Sequence, residues 1–220
     1  MGFDGYSSLL SFSSVRMESA MDCLEAVSAK EADVVTLDAG LAYIALMNYS
    51  IKAIMAEEYC YHKKSYHAVA VVSKEVCERN PRLNLEDFRG KRSCHPGYRT
   101  GAGWNYPIQF IVESGLQIPE PVSMSSDDNM HGDESIVRSF FSETCAPSEF
   151  DGTGLCTSCG NNGSCDNSLS SIYRGYSGAY RCLMEEIGDI AFLRSDTALR
   201  LSNDGMNAQN WSTKSVADFM

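Results

Sequence analysis

The sequence predicts an α/β fold stabilised by disulfides. Stretches with helical periodicity alternate with short apolar runs that are typical of buried strands. Hydrophobic residues make up 44% of the 220 residues, which is enough for one sizeable core or two smaller domains. Nine cysteines indicate an oxidising compartment. No internal repeat of fixed period is present.

The elements can be placed approximately along the chain. Met17, Met21, Leu24 and Val27 have the spacing of one helical face. Further helices are predicted over 41–47, 102–114, 136–141 and 176–186. Strands are predicted over 33–37, 51–55, 67–72 and 189–193. An acidic surface loop is predicted over 123–134.

The charge and the chain start limit the possible partners and location. A formal net charge of -11 disfavours nonspecific binding to nucleic acid or to anionic membranes. No run of about 18 apolar residues could span a bilayer. Sequons at Asn48, Asn162 and Asn210 would accept glycans in a secreted protein. Residues 1–12 lack the features of a signal peptide, so we interpret the chain as a fragment, an isoform or an incomplete gene model.

Three oxygen-bearing side chains lie at predicted element ends. Asp38 closes a strand, Tyr66 opens another and Tyr176 begins a helix, so the three could converge on a cleft. The ordinary alternatives are a helix N-cap for the aspartate and half-buried core rings for the tyrosines.

Several strings of the sequence resemble the transferrin family, in the family's order. They are TLDAGL (36–41), YHAVAVV (66–72), RGKRSCH (89–95), AGWN (102–105), FFSETCAP (140–147), GYSGAYRCL (175–183) and GDIAFL (188–193). The resemblance extends from about Val15 to Phe219, and details such as 111–115 are similar to melanotransferrins.

The resemblance implies a two-domain clamshell of the periplasmic-binding-protein type, with mixed sheets and flanking helices. Residues 1–64 would form part of an incomplete first subdomain, and 65–220 the second. Such a lobe binds Fe³⁺ through one Asp, two Tyr and one His, with carbonate as synergistic anion. The Asp matches Asp38, and the tyrosines match Tyr66 and Tyr176. A hard trivalent cation prefers such anionic oxygen donors.

The histidine ligand of the family lies beyond the end of this chain. None of the four histidines here, His62, His67, His95 and His131, is in the matching context. His67 adjoins Tyr66, but consecutive strand residues point to opposite faces. We therefore expect His67 at the surface or behind the site, and the family site is incomplete in this chain.

The anion site also departs from the family pattern. The resemblance assigns it to Arg99, Thr100, Ala102 and Gly103. However, Pro96 stands where the family has Thr and Thr100 where it has Arg, while Arg99 comes one residue early. Either Arg99 compensates or the anion is held weakly, and the second is favoured.

One further charged position departs from the family. Arg194 matches a lysine that some lobes use in a pH-sensitive pair. Arginine stays charged to very high pH, so it cannot share a proton in that way.

The cysteines have implied partners. The resemblance pairs Cys94 with Cys182, Cys145 with Cys159 and Cys156 with Cys165, and it places the partner of Cys23 upstream of the chain. Cys60 and Cys77 flank the Tyr66 strand and could pair with each other. Half a zinc site over 156–159 is the weaker alternative, because no second ligand pair follows.

The sequence therefore favours extracellular binding and transport of ferric iron. Implied partners are a cell-surface receptor and a second lobe or the remainder of the same lobe. The alternative is a lobe without metal that acts as a structural or receptor-facing module. An enzyme is not expected: 175–178 fails the G-x-S-x-G pattern of serine hydrolases, and no other nucleophile and base stand together.

Overall fold

A five-stranded mixed sheet forms the centre of the protein in a computed structural model. The structure describes residues 11–56, 65–116, 132–147, 155–159 and 171–219. The strand order is β1-β5-β2-β3-β4. The strands are β1 Ala68–Val71, β2 Arg92–Cys94, β3 Glu143–Ala146, β4 Leu155–Cys156 and β5 Ile190–Arg194.

The central strands are parallel and the outer ones antiparallel. β2 runs parallel to both β3 and β5, whereas β1 pairs antiparallel with β5 and β4 antiparallel with β3. The register places Cys94 opposite both Cys145 and Ala191. The predicted α/β class with a mixed sheet is thereby confirmed.

Helices flank the sheet and precede it in the chain. They are α1 Ala20–Ser28, α2 Ala39–Tyr49, α3 Lys74–Arg79, α4 Tyr106–Glu113, α5 Gly132–Phe140, α6 Gly175–Met184 and α7 Thr197–Leu201. One turn of π-helix, Gly101–Asn105, leads directly into α4. Short 3-10 turns cover Leu85–Phe88 and Val216–Asp218.

Two predicted strands are wrong, although the helices and the other two strands fall close to their predicted places. Residues 33–37 and 51–55 are not strands. A strand needs a neighbour to satisfy its backbone groups, and no described residues pair with these two runs. The predicted acidic loop also ends earlier than expected, since α5 already begins at Gly132.

In the part of the chain that the structure describes, two hydrophobic clusters lie on opposite faces of the sheet. Along β5, Ala191 and Leu193 join one cluster, whereas Ile190 and Phe192 join the other. Side chains of a strand alternate between its two faces. Because both faces of β5 are covered by hydrophobic clusters, residues 190–193 are all apolar. A third cluster, formed by residues of α1, α2 and the segments beside them, stands apart from both.

Two disulfides between described residues join the sheet to its surroundings. Cys94–Cys182 connects β2 to α6, and Cys145–Cys159 connects β3 to the residues after β4. Both are pairs that the resemblance implies. Cys156 is also disulfide-bonded, and its expected partner Cys165 lies outside the described residues.

The suggested pairing of Cys60 with Cys77 is wrong. Cys77 is a free thiol, as is Cys23. Cys77 lies on the short helix α3, and Cys60 is outside the described residues.

Candidate metal centre

Asp38, Tyr66 and Tyr176 are brought together by three separate elements. Tyr176, in the first turn of α6, donates a hydrogen bond from its hydroxyl to Oδ2 of Asp38 at 2.8 Å. Tyr66, just before β1, donates to the same oxygen at 3.5 Å. The structure therefore places three oxygen donors within one hydrogen-bonded cluster, whereas the ordinary core-ring interpretation required no such contact.

The second carboxylate oxygen of Asp38 binds two backbone amides. Oδ1 accepts hydrogen bonds from the N–H of Gly40 at 3.0 Å and from the N–H of Gly101 at 2.6 Å. The first bond makes Asp38 the N-cap of α2, as the alternative interpretation expected. The second attaches α2 to the π-turn that leads into α4. Asp38 is thus a cap and a member of the cluster at once.

Close backbone contact reinforces this attachment. A methyl group added at Gly40 would lie 2.0 Å from the carbonyl oxygen of Arg99. Only glycine allows the start of α2 to approach the loop before the π-turn so closely.

The hydroxyl of Tyr176 is held in its neutral form. Burial, followed by the charge of Asp38 and the hydrogen bond to it, raises the pKa of Tyr176 far above its usual value, while the amide of Ala102 lowers it. Each cause that raises the pKa disfavours the phenolate. A cation that binds here must displace the proton, so binding weakens as the pH falls.

Arg194 supplies positive charge beside the cluster. Its guanidinium lies 4.8 Å from the ring centroid of Tyr66 and 5.5 Å from that of Tyr176. It also forms an ion pair with Asp196 at 3.1 Å. A cation at such a distance from an aromatic ring face is attracted to it. Arg194 therefore contacts both tyrosines of the cluster.

Two of the predicted anion-binding side chains are engaged elsewhere. The hydroxyl of Thr100 donates to the carbonyl of Gly97 at 2.8 Å. The guanidinium of Arg99 lies 4.8 Å from the ring centroid of Tyr98. Arg99 itself has a left-handed backbone, with φ of 66°.

The glycine-rich turn is also occupied by the protein itself. A methyl group added at Gly103 would lie 2.0 Å from Cγ of Pro96, so the proline ring rests directly on this residue. The amide of Gly101 binds Asp38, and that of Ala102 binds Tyr176. In this conformation the residues do not fit a preformed carbonate cradle. The anion-binding role of Arg99, Thr100, Ala102 and Gly103 stays a prediction.

The histidines contribute no side chain to the cluster within the described residues. His67 is exposed at the start of β1, in agreement with the strand argument. His62 and His131 lie outside the described residues. His95 is buried, with 1% of its surface exposed.

His95 forms a buried polar chain that the sequence did not predict. One ring nitrogen, Nδ1, lies 2.7 Å from the carbonyl oxygen of Gly103. Because that oxygen only accepts, Nδ1 carries the proton, and Nε2 accepts from the hydroxyl of Ser93 at 3.0 Å. The hydroxyl of Ser93 lies 3.1 Å from that of Thr144. The alternation of Ser93 and His95 on one strand face was the only available signal.

Burial of His95 predicts a loss of stability in acid. Desolvation lowers its pKa to about 4, against about 6.5 in the unfolded chain. Between these values the unfolded chain binds a proton that the folded chain does not, so stability falls as the pH falls through this window. The expected loss is about 3 kcal/mol. Urea unfolding at neutral pH and at about pH 4.5 measures it. His95→Asn should reduce this difference, and an unchanged difference would contradict a buried neutral imidazole.

Comparison with known proteins finds a matching family model and several similar proteins. A family model described as Transferrin matches residues 6–214. The serotransferrin of Oryzias latipes is 37% identical over 185 residues, covering 83% of this chain and 25% of that protein. The serotransferrin of Sus scrofa is 38% identical over 195 residues, covering 85% and 26%.

A melanotransferrin is similar to the same degree. The Homo sapiens protein is 34% identical over 205 residues, covering 90% of this chain and 26% of that protein. These matches do not single out melanotransferrins. The chain spans about a quarter of the length of the curated relatives it matches.

Proposed function

Because this chain belongs to the transferrin family, we propose that it binds ferric iron through Asp38, Tyr66 and Tyr176, as part of an iron-transport protein. The observation that carries the proposal is the shared acceptor: Oδ2 of Asp38 receives hydrogen bonds from both phenols. Replacing the two hydroxyl protons by one cation would convert these hydrogen bonds into shared coordination.

The charge balance supports a trivalent cation. One carboxylate and two phenolates supply three negative charges, which offset those of Fe³⁺. The described part of the chain contains no group of three His, Cys, Asp or Glu side chains placed to hold a metal. A metal site here therefore depends on the tyrosines, and phenolate oxygen favours hard, highly charged ions over zinc.

We infer that iron is held more weakly than in a complete lobe. No histidine side chain joins the cluster among the described residues. In addition, Pro96 packs against Gly103, and Thr100 donates to Gly97. An anion that is not organised in advance contributes less to affinity. Carbonate is therefore proposed as a weak synergistic ligand, and Arg99 as the cation that would support it.

The wider biological setting belongs to the same proposal. Disulfides between buried cysteines suit a secreted protein, and the exposed Asn210 sequon suits a glycoprotein. No helix in the described ranges is long and apolar enough to cross a bilayer. A receptor and a second lobe, or the remainder of this one, are the proposed partners, and catalysis is not proposed.

The domain arrangement is likewise proposed. Residues 1–64 would contribute to one half of the clamshell and 65–220 would form the other. The separate hydrophobic cluster of α1 and α2 supports this division, with Asp38 as the link between the halves.

Titration with a ferric chelate in bicarbonate buffer tests the proposal. Phenolate coordination to Fe³⁺ produces a visible charge-transfer band, and we expect a saturable band at neutral pH that yields readily to a competing chelator. Tyr66→Phe and Tyr176→Phe each remove one anionic donor and should lower the affinity at least tenfold.

A matched control is available close to the site. Tyr173 is also buried, and its hydroxyl donates to Glu185 at 2.8 Å rather than to Asp38. Tyr173→Phe should leave the band unchanged. If the native chain gives no band, the alternative of a metal-free interaction module gains support, and Pro96 packed against Gly103 would be its structural basis.

A further inference from the structure

An apolar cavity of about 700 Å³ lies where β1, β5, α4 and the 3-10 turn Leu85–Phe88 meet. Ala70 of β1 and Ile190 and Phe192 of β5 line it on the side of the sheet. Its volume lies in the range of cavities that hold small organic molecules in proteins. The cavity is separate from the cluster of oxygen donors, none of which lines it.

Small side chains on the edge strand leave this space open. Side chains of a strand alternate between its faces, so Ala68, Ala70 and Val72 share one face of the sheet. Val72 and Phe192 belong to the hydrophobic cluster on that face. Ala68 and Ala70 are nevertheless exposed, whereas the residues of β5 beside them are buried. The apolar face of the sheet therefore continues into a cavity at β1.

One face of α4 gives the cavity its chemical character. Tyr106, Phe110 and Glu113 are four and three residues apart, so they lie on the same side of the helix. Tyr106 and Phe110 are 60% and 54% exposed, which leaves part of each ring accessible. Glu113 is the only charged side chain among the described residues that line the cavity. Aromatic rings and a carboxylate both attract an ammonium group.

A neighbouring amide orients the carboxylate. Nε2 of Gln109, which also lines the cavity, donates a hydrogen bond to Oε1 of Glu113 at 2.8 Å. This bond comes from a neutral group, so it positions Glu113 without neutralising its charge. The formal net charge of -11 adds a long-range attraction for cations.

We propose that this cavity binds a small organic cation with an apolar body, of the alkylammonium or arylammonium class. The apolar body fills the space over Ala70 and Phe192, and the ammonium group lies against Tyr106, Phe110 and Glu113. An apolar anion, such as a fatty acid, would place its own carboxylate near Glu113 and should bind less well. The proposal does not depend on ferric binding.

Two free thiols allow binding to be measured without a label. Cys77 lines the cavity, whereas Cys23 lies on α1 and does not. Both are partly buried. A ligand in the cavity should slow the alkylation of Cys77 by iodoacetamide and leave that of Cys23 unchanged. Mass spectrometry of the two peptides measures both rates in the same sample.

The first test compares three probes with the same alkyl chain: decyltrimethylammonium, decanol and decanoate, each below its micelle-forming concentration. We expect the ammonium compound to protect Cys77 saturably, at a concentration about tenfold lower than decanol requires. Decanoate should protect least. Equal protection by decanoate and the ammonium compound, or no protection by any probe, would overturn the proposal. A Cys77 that reacts only after unfolding would also overturn it, because the protein itself would then fill the cavity.

The second test uses variants. Glu113→Gln removes the charge and should reduce the preference for the ammonium compound over decanol several-fold. Glu143→Gln makes the same change in net charge at the exposed start of β3, outside the cavity, and should keep the native preference. Phe110→Ala removes one exposed ring and should also lower the preference. A native preference in both Glu113→Gln and Phe110→Ala would overturn the proposed position of the ammonium group.

A third variant tests the place of the apolar body. Ala70→Phe fills the space beside the sheet and should weaken protection of Cys77 by all three probes. Because Ala70 is exposed on an edge strand and phenylalanine is favoured in strands, we expect the variant to fold, which circular dichroism checks. Native-like protection in the folded variant would show that the probes bind elsewhere. If the variant does not fold, Glu113→Gln and Phe110→Ala still decide the proposal.

Discussion

Replacing both Cys94 and Cys182 with alanine is expected to lower the free energy of unfolding by about 4 kcal/mol. The disulfide closes a loop with a sequence separation of 88, so its removal frees a large part of the unfolded chain. Both cysteines are fully buried at the junction of β2 and α6. A loss of this size is a large fraction of the stability of an ordinary domain. Urea unfolding followed by the fluorescence of the buried Trp104 measures the change.

The second disulfide provides the matched control. Cys145–Cys159 has a separation of only 14, and its removal is expected to cost about 3 kcal/mol. The long-loop variant should therefore unfold at the lower urea concentration of the two. An equal or smaller loss for the Cys94 and Cys182 variant would show that the unfolded chain is already compact around this pair.

Of the five strands of the central sheet, the sequence predicted only β1 and β5, and β5 could be recognised because its residues are buried on both faces. Residues 190–193 are continuously apolar, and β5 indeed separates two hydrophobic clusters. The runs 33–37 and 51–55 are also largely apolar, yet they have no strand partner among the described residues. Apolar composition indicates burial, whereas a strand also requires a neighbour at hydrogen-bonding distance.

The candidate site could be predicted only in part. Because Asp38, Tyr66 and Tyr176 stand at the ends of predicted strands and helices, the sequence indicated that they could meet. The family resemblance implied that they bind ferric iron. Neither indicated that one carboxylate oxygen would accept from both phenols. That arrangement depends on long-range packing between segments that are 138 residues apart.

The residues behind the site were harder to predict than those in it. His95 ends the family-like string 89–95, but nothing in that string indicates that its ring donates to a carbonyl eight positions away. The orientation of Arg99 toward Tyr98 depends on a left-handed backbone at a non-glycine residue, which sequence patterns rarely indicate.

Replacing Asp38 with alanine is expected to abolish ferric binding and to destabilise the protein by about 2 kcal/mol. The variant loses the N-cap of α2 and the acceptor of the Gly101 amide. It also leaves the half-buried hydroxyl of Tyr176 without its acceptor. The ferric titration and urea unfolding measure the two effects separately.

Asp38→Asn separates the charge of the carboxylate from its hydrogen bonds. The amide oxygen can still cap α2 and accept from Gly101, so stability should fall less than in Asp38→Ala. Removing the negative charge should lower the pKa of Tyr176, because that charge follows burial as the next cause of its elevation. The pKa should stay above its usual value of about 10, since the ring remains half-buried.

Ultraviolet titration of phenolate absorbance, with Tyr176→Phe as the background, measures this shift. Asp189→Asn removes a carboxylate that pairs with Arg92 instead, and it should leave the titration of Tyr176 unchanged. If Asp38→Asn bound iron as tightly as the native chain, three anionic oxygens would not be required and the proposed coordination would be wrong. If the pKa of Tyr176 did not fall, the hydrogen bond between the two side chains would not form in solution, and the convergence on which the ferric site depends would be lost.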